Sequence, residues 1–329
     1  MRLRSSAPYS DERRDSRREG EQSKMNWEHK ARVMRACARV PFGDRLYKAL
    51  QKRFGRLSAD PMLRLPTAAE LTRWAMAAGR PVEGCTVLEV GTGHKAIVPV
   101  GLFLLGAKTI YTYDLHRRLD VPLMRAALQW IAQHPESIHE LYGELTAHGA
   151  LDKRLALLTR YADVPLEFFA KGGITYHAPG DAAHTPLPDG SVDLHVSVTV
   201  LEHVPGPVIE EIFVEARRLL SPSGIAVHII DPSDHFARQD ASISAVNFLQ
   251  FSEEDWSRIA GNEFAYCNRL RQSELLPLFV RAGFSVERAE REVDAASVTA
   301  LRGGFPLHAD YRDFDTEDLC TTTVRVLLR

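Results

Sequence analysis

The chain has 329 residues, of which 45% are hydrophobic and 26% charged, and its formal net charge is −2 at pH 7. That hydrophobic content is enough for a globular core, and the length fits one large domain or two small ones. The near-zero net charge argues against nucleic acid and anionic membrane surfaces as partners. No apolar run reaches the roughly 18 residues that a membrane-spanning helix needs.

The cysteines and the N-terminus predict a cytoplasmic protein. Cys37, Cys85, Cys267 and Cys320 are widely spaced and form no CxxC pair, which argues against a zinc site and a disulfide framework. The N-terminus is charged rather than apolar, so it is not a secretory signal. Residues 1–24 contain almost no apolar side chains and are predicted as a disordered charged tail.

Residues 25–80 are predicted to form an N-terminal helical extension ahead of a sheet. The apolar face of its first helix begins at Trp27, and its second helix is predicted over residues 44–54. The third helix opens with a capping box formed by Thr67 and Glu70. An extension of this kind can pack on the core or form a homodimer contact.

A strand followed by a glycine turn occupies residues 86–95, with the sequence Thr-Val-Leu-Glu-Val-Gly-Thr-Gly-His-Lys. The strand is predicted over residues 86–90, and a helix over residues 94–106 follows the turn. Gly91 and Gly93 lack a Cβ, so the backbone can turn sharply there and approach a ligand closely. This pattern is typical of the opening strand–helix unit of a doubly wound sheet.

An acid follows the second predicted strand, residues 109–113. Asp114 lies about twenty residues beyond the glycine turn, where a carboxylate can accept both hydroxyls of a ribose. A glycine turn and a ribose acid together fit two classes of ligand, dinucleotides and S-adenosylmethionine.

The position of Glu89 favours S-adenosylmethionine. The pattern Glu89-x-Gly91-x-Gly93 resembles the first motif of the class I S-adenosylmethionine-dependent methyltransferases, of the type 11 kind. The resemblance implies that the acid helps to hold the amino group of the cofactor, directly or through water. A pyrophosphate would prefer a helix N-terminus without a nearby carboxylate, and Lys95 replaces the third glycine of the dinucleotide pattern.

Sequence motifs that follow a helical insertion extend the resemblance. Apolar residues at helical spacing predict an insertion over about residues 115–170, and a third strand is predicted over residues 174–177. Gly-Asp-Ala at 180–182 then implies that Asp181 hydrogen-bonds the adenine amino group, with the Ala182 backbone beside it. Alternatively, Asp181 only caps the turn.

The fourth predicted strand, residues 194–198, is also followed by a motif that resembles this family. Ser197 and Val198 end this strand at the edge where open α/β sheets bind ligands. Leu-Glu-His-Val at 201–204 follows, and its His203 is either a base above the sheet or a residue that orders the next loop and helix.

The fifth strand is predicted over residues 225–230, after a helix over 207–220 and a Ser-Pro-Ser-Gly turn at 221–224. The segment that follows it contains the strongest candidates for chemistry. His235 is the candidate general base, because the unperturbed pKa of a histidine lies close to neutral pH, and Asp231 or Asp234 can orient it. Two acids and a histidine can also hold a divalent metal that binds a diol, or simply cap turns and bind substrate.

A substrate lid is predicted over about residues 232–272, where aromatic, amide and arginine side chains are interleaved. Asp234, Tyr266, Asn268 and Arg269 are the candidate substrate contacts, although the same residues can pack a small helical lid. A helix over 274–282 and two last strands, 284–289 and 321–328, complete the prediction.

The sequence therefore predicts an α/β methyltransferase domain at residues 81–329, with a seven-stranded Rossmann-like doubly wound sheet whose last strand is antiparallel. The resemblance implies that the 25–80 extension covers the mouth of the site. The predicted reaction is O-methylation of a small hydroxylated metabolite, of sugar or natural-product type, which converts S-adenosylmethionine to S-adenosylhomocysteine. The candidate catalytic residues are His235, His203 and Asp231, and no metal ligand set is predicted. The candidate cofactor contacts are Glu89, Gly91, Thr92, Gly93, Asp114, Leu115, Asp181, Ala182, Ser197 and Val198.

Three other functions stay open. An N-methyltransferase for a small amine would need less help from a base and more carboxylates in the pocket. A nicotinamide-dependent oxidoreductase would need a third glycine in the turn. A non-catalytic scaffold with a degenerate fold would lack cofactor affinity. The predicted partners are a small-molecule acceptor and a second copy of the chain in a homodimer, with neither nucleic acid nor membrane.

Overall fold

The computed structural model describes residues 26–53 and 58–329. The predicted tail, residues 1–24, lies outside the described residues, as does the predicted end of the second helix at Phe54. No helix within the described ranges is long and apolar enough to cross a membrane.

Seven strands form one sheet. They are β1 (Thr86–Val90), β2 (Thr109–Tyr113), β3 (Ile174–His177), β4 (Val192–Val198), β5 (Leu220–Ile230), β6 (Val286–Val293) and β7 (Thr321–Leu328). Their order is β3-β2-β1-β4-β5-β7-β6. Strands β1 to β5 pair in parallel, and β7 is antiparallel to both of its neighbours. The predicted seven-stranded doubly wound sheet is confirmed, and its order reverses between β1 and β4, where such sheets bind ligands.

The helices that surround the sheet come mainly from the extension and the insertions. They are α1 (Trp27–Ala38), α2 (Gly43–Arg53), α3 (Leu65–Ala77), α4 (Ile97–Leu104), α5 (Val121–Gln133), α6 (Pro135–Tyr142), α7 (Ala150–Tyr161), α8 (Pro165–Gly172), α9 (Gly206–Leu219), α10 (Glu253–Ala260), α11 (Gln272–Arg281), α12 (Ala295–Arg302) and α13 (Thr316–Leu319). The predicted helical insertion between β2 and β3 contains α5 to α8.

Several element boundaries differ from prediction. The helix after the glycine turn begins at Ile97 rather than near residue 94, because Ala96 has a left-handed φ of 52°. Strand β5 begins at Leu220 rather than 225, because Leu220 pairs with Val192 ahead of a register shift. Strand β6 lies two residues later than predicted at its start, since it first pairs with β7 at Val286.

The predicted capping box of α3 is wrong. Arg64 is the N-cap of this helix, which has no capping hydrogen bond from a side chain. Glu70 instead pairs with Arg325 of β7, so its carboxylate ties the helix to the sheet.

Both faces of the sheet are covered. On one face, Val87 and Ile110 pack with α3, α4 and the inserted helices α5 to α8. On the other face, Leu88 packs with Phe213 of α9 and Phe279 of α11. Because successive side chains of a strand point to opposite faces, adjacent residues of β1 join different cores.

A third apolar cluster joins the extension to the segment after β5. Trp27 of α1 packs there with Phe236, Phe248 and Trp256. The Trp27 ring lies 5.9 Å from the rings of Phe236 and Phe251, centroid to centroid. The cluster therefore positions the predicted extension against the predicted lid.

Candidate active site

A cavity of about 950 Å³ opens at the carboxyl ends of β1, β2 and β4. Its walls come from the segment before α3, the loops after these three strands, and residues 257–266 of the predicted lid. The polar residues in its lining are Ser58, Arg64, Glu89, Thr92, His94, Lys95, Asp114, His116, Arg118, Thr199, His203, Ser257, Asn262, Glu263 and Tyr266. This size lies at the upper end of the range for small-molecule sites, roughly 300–1,000 Å³, so it can hold a cofactor and a small acceptor together.

The glycine turn lines the cavity. Gly91 has a φ of +93°, and a Cβ added there would meet Cγ2 of Val200 at 2.1 Å. Gly93 has a φ of +65°, and its N–H donates to Oδ2 of Asp114 over 3.0 Å. Gly91 therefore requires glycine for both backbone conformation and space, whereas Gly93 requires it for backbone conformation alone, since nothing lies within 4 Å of a Cβ added there.

Glu89 lies beneath this turn as a buried acid. Burial raises the pKa of Glu89 to about 8, although a hydrogen bond from Thr112 acts in the opposite direction. The Oγ1 atoms of Thr92 and Thr112 are 2.5 Å apart, so a chain of hydrogen bonds links the acid to the turn. A cationic ligand group placed near Glu89 would favour its charged form.

Asp114 is held at the end of β2 by two backbone hydrogen bonds. Its two carboxylate oxygens accept the N–H groups of Gly93 and His116, both over 3.0 Å. Each oxygen has a second lone pair, so the carboxylate can still accept ribose hydroxyls. Leu115, 65% exposed, also lines the cavity.

Asp181 and Ala182 do not belong to the cavity lining. Asp181 accepts the N–H of Ala183 and a hydrogen bond from Nδ1 of His184, each over 2.9 Å. The hydrogen bond from His184 is the main cause that lowers the pKa of Asp181. The structure thus shows the turn-capping contacts, and adenine binding by Asp181 stays a prediction.

The end of β4 divides its residues between core and cavity. Ser197 is fully buried, and its hydroxyl lies 2.7 Å from Nδ1 of His228 in the neighbouring strand. Val198 lines the cavity, and so does Thr199, which has a left-handed φ of 50°. Arg64 donates to Oγ1 of Thr199 over 2.9 Å. Sequence patterns did not single out Arg64, because its partner lies 135 residues away.

His203 lines the cavity with one ring nitrogen fixed. Its Nδ1 lies 2.8 Å from the carbonyl oxygen of Tyr266, another lining residue. A carbonyl only accepts, so Nδ1 carries the proton and Nε2 keeps the lone pair. Burial lowers the pKa of His203, which keeps its ring neutral near pH 7.

His235 does not line the cavity, and the lone pair on its Nε2 already accepts a hydrogen bond. Nη2 of Arg238 lies 3.1 Å from its Nε2, and a guanidinium only donates. Burial and the Arg238 charge lower the pKa of His235. A neutral His235 ring in this arrangement has no free lone pair, so it cannot take a proton from the hydroxyl of a methyl acceptor.

Asp231 pairs with Arg238 rather than bonding directly to the imidazole. Its Oδ2 is 3.7 Å from Nε2 of His235, too far for a hydrogen bond. Burial raises the pKa of Asp231, but the Arg238 charge and the hydrogen bonds from Ser233 outweigh burial and lower it overall.

Three predicted substrate contacts have structural roles and lie outside the cavity lining. Asp234 accepts the N–H of Phe236 over 2.8 Å and the side-chain amide of Asn247. Asn268 donates to the carbonyl oxygens of Leu201 and Val204, each over 2.7 Å. Arg269, only 2% exposed, donates to the carbonyl oxygens of Phe248 and Phe251.

Glu202 is a buried acid that sequence reasoning missed. Its side chain is 1% exposed, and neither carboxylate oxygen makes a hydrogen bond to any described residue. Burial raises the pKa of Glu202 to about 8. The backbone N–H groups of Glu202 and Asp231 lie near the carboxylate and oppose this rise in pKa, but neither of them forms a hydrogen bond with it. The signal for this residue was its place beside His203 in the Leu-Glu-His-Val phrase.

The chain is similar to one protein-family model and to several solved structures. A family model described as "Methyltransferase domain" matches residues 162–228, from the end of α7 into β5. An S-adenosylmethionine-dependent methyltransferase from Mesorhizobium loti is 17% identical, with a TM-score of 0.40, and the alignment covers 78% of this chain and 96% of that one. Magnesium protoporphyrin IX methyltransferase from Synechocystis PCC 6803, solved with bound SAH, is 13% identical, with a TM-score of 0.42 and coverage of 80% and 82%. No curated protein sequence matches the chain.

The match falls on the segment that contains the Gly-Asp-Ala, Leu-Glu-His-Val and Ser-Pro-Ser-Gly phrases. The match over residues 162–228 and the observed strand order both support the resemblance to class I S-adenosylmethionine-dependent methyltransferases that the sequence motifs indicate.

Proposed function

We propose that this protein transfers the methyl group of S-adenosylmethionine to a hydroxyl of a small metabolite, of sugar or natural-product type. One observation carries the proposal: the cavity that contains the glycine turn and Asp114 also contains His203, whose Nε2 makes no hydrogen bond to any residue that the structure describes. The cavity therefore combines groups suited to a cofactor with a group suited to an acceptor.

The cofactor would bind along β1 and β2. Asp114 would accept the ribose hydroxyls, Glu89 would attract the amino group, and Gly91 and Gly93 would let the backbone approach the ligand. When bound, S-adenosylmethionine supplies an electrophilic methyl group. Holding donor and acceptor in line supplies much of the catalysis, because orientation replaces a bimolecular encounter.

The acceptor would bind on the side formed by Arg64, His203 and Tyr266. Its oxygen forms a bond to the methyl carbon while the sulfur–carbon bond breaks, and S-adenosylhomocysteine leaves. The hydroxyl proton must also leave, and the free Nε2 of His203 can accept it. This need favours O-methylation, because an amine attacks with its own lone pair once neutral.

The lining also supports a polar acceptor. Arg64, Lys95 and Arg118 add positive charge to the walls, while Leu63, Val198 and Phe264 add apolar surface. A hydroxylated small molecule with polar and apolar parts fits this mixture. All four cysteines lie within the described residues and are buried and free, which supports a cytoplasmic location.

The test is transfer of labelled methyl from S-adenosylmethionine to a panel of hydroxylated metabolites, with small amines as a second panel. We expect label in a hydroxylated acceptor, and loss of at least about a hundredfold in kcat/KM in His203→Ala. His139→Ala is the matched control, since this exposed imidazole pairs with Asp152 and does not line the cavity. Label in amines alone, or full activity of His203→Ala, would contradict the proposal.

A further inference from the structure

Three side chains that can bind a metal ion converge next to the cavity. One ligand atom each from Glu202, His203 and His235 lies within 4.8 Å of the others. The first two belong to a 3-10 helix, Leu201–His203, that follows β4, and the third follows β5. Because β4 and β5 are parallel neighbours, their carboxyl ends place these residues at one edge of the sheet.

Glu202 gives the first independent indication of a ligand. Its carboxylate is buried and has no hydrogen-bond partner among the described residues. Burying an unpartnered carboxylate is costly, so such groups are normally paired, hydrogen-bonded or bound to a metal. A cation in contact with Glu202 would satisfy it.

His203 gives a second indication. Histidines that bind metals commonly donate their other ring N–H to a carbonyl or carboxylate, which fixes the tautomer and the orientation of the ring. His203 makes this contact through Nδ1 to the carbonyl oxygen of Tyr266, over 2.8 Å. Its Nε2 is thus prepared to act as a ligand.

Arg238 already places a positive charge at this cluster. Its Nη2 contacts Nε2 of His235 over 3.1 Å and pairs with Asp231, while Nε2 of His235 is 3.9 Å from Oε1 of Glu202. Nearly half of the Arg238 side chain is exposed, so it can move into solvent. A metal ion and Arg238 would compete for the same groups.

We propose that Glu202, His203 and His235 bind a divalent transition-metal ion, and that this ion contacts the hydroxyl of the acceptor. Two imidazoles and one carboxylate suit Mn²⁺, Fe²⁺, Co²⁺ or Zn²⁺ better than Mg²⁺ or Ca²⁺, and three protein ligands leave positions open for a substrate. Ligands about 2.1 Å from one ion lie roughly 3.0–3.4 Å apart, so the cluster contracts when the ion binds.

This inference rests on the proposed methyl transfer and revises the fate of the hydroxyl proton. An ion beside the acceptor oxygen lowers the pKa of the hydroxyl, so the proton can pass to water. The oxygen then forms its bond to the methyl carbon, and the sulfur–carbon bond breaks as before. In this scheme His203 and His235 are both metal ligands. His235 is therefore not the general base that the sequence predicts.

The experiment is calorimetric titration of EDTA-treated, dialysed protein with MnCl₂, checked by loss of the free Mn²⁺ signal in electron paramagnetic resonance. We expect one saturable site in the wild type and at least about tenfold weaker binding in Glu202→Gln and His235→Ala. His139→Ala is the control for binding to a surface histidine and should match the wild type. Arg238→Ala should bind Mn²⁺ more tightly, because it removes the competing cation, and a folding defect cannot mimic this gain.

Two results would overturn the metal site: no saturable Mn²⁺ binding by the wild type, or wild-type affinity in Glu202→Gln. Titration with S-adenosylhomocysteine separates this failure from failure of the proposed function. Cofactor binding without Mn²⁺ binding removes only the metal site, whereas Mn²⁺ binding without cofactor binding removes the methyl transfer.

Discussion

Gly91 shows how one backbone position controls the cofactor side of the cavity. Its φ of +93° and the 2.1 Å approach of Val200 to the place of a Cβ leave no room for a side chain. The glycine pattern could be recognised from the sequence because it reflects a local constraint. The contact with Val200 could not, because it depends on how the loop after β4 folds over the turn.

The substitution Gly91→Ala should destabilise the protein by about 2–5 kcal/mol, since it combines left-handed strain with a steric overlap. Gly190→Ala is the matched control, because Gly190 has a φ of +65° with nothing within 4 Å of an added Cβ. That control should cost only about 1–2 kcal/mol. Urea unfolding measures both, and equal losses would contradict the steric role of Val200.

Glu89 predicts a proton linkage to cofactor binding. Its folded pKa is raised to about 8, so it is mostly protonated at neutral pH in the free protein. The cationic amino group of S-adenosylhomocysteine should lower that pKa, so binding near pH 7 should release up to about one proton. Calorimetry in two buffers of different ionisation enthalpy measures this release. Persistence of the release in Glu89→Gln would assign it to another group.

At the scale of elements, Glu215 and Arg218 of α9 form hydrogen bonds that hold this helix against the loop before β4. Glu215 accepts the N–H and hydroxyl of Thr185 and pairs with Arg218, which also donates to the carbonyl oxygen of Leu187. The hydrogen bond from Arg218 is the main cause that lowers the pKa of Glu215 to about 2.

The sign of the resulting pH dependence follows from the lowered pKa. The contribution of Glu215 should be complete above its ordinary value near 4.5 and vanish as the pH falls towards 2. Glu215→Gln should cost about 1–2 kcal/mol near neutral pH, a value kept low because Arg218 is partly exposed and screened by solvent. The difference in unfolding free energy between the two proteins should shrink across that acidic range. A difference independent of pH would show that the charge of Glu215 is not the cause.

The elements themselves were largely predictable where their patterns are local. Strands β1, β2, β3 and β7 have the predicted bounds, because each is a short apolar or β-branched run between polar or glycine residues. The starts of α4 and β5 were not predictable. The left-handed conformation of Ala96 sets the first, and the pairing of Leu220 with Val192 sets the second. Neither feature has a sequence pattern of its own.

At the scale of the molecule, the extension and the lid behave as one unit around Trp27. Besides its ring contacts, the backbone N–H of Trp27 donates to Asp240 over 2.8 Å. This unit lines part of the cavity through residues 257–266. We therefore expect the extension to affect the acceptor more than the cofactor.

The substitution Trp27→Ala should lower stability by about 3 kcal/mol and raise KM for the acceptor severalfold, with affinity for S-adenosylhomocysteine unchanged. Trp130→Ala is the matched control, because Trp130 lies in the inserted helix α5 and stacks on His134. An equal rise in KM in both variants would show that general destabilisation, rather than the lid, is responsible.

The composition of the site was only partly predictable for the same reason. The cofactor side follows one local motif, and Glu89, Gly91, Thr92, Gly93, Asp114 and Leu115 all line the cavity. The acceptor side joins residues far apart in the chain, such as Arg64, His203 and Tyr266. Their proximity depends on packing between the extension, the lid and the sheet, so single-sequence patterns identified His203 and Tyr266 but not Arg64.

The whole chain is expected to bind S-adenosylmethionine at the edge of the sheet formed by β1 and β2. The most direct test is calorimetric titration with S-adenosylhomocysteine of the wild type and of Asp114→Ala, with urea unfolding to confirm that the variant folds. We expect saturable one-to-one binding by the wild type and at least about tenfold weaker binding by the folded variant, since the variant lacks the carboxylate that would accept hydrogen bonds from the ribose. Equal affinity in both proteins, or binding of NADH in place of S-adenosylhomocysteine, would contradict it.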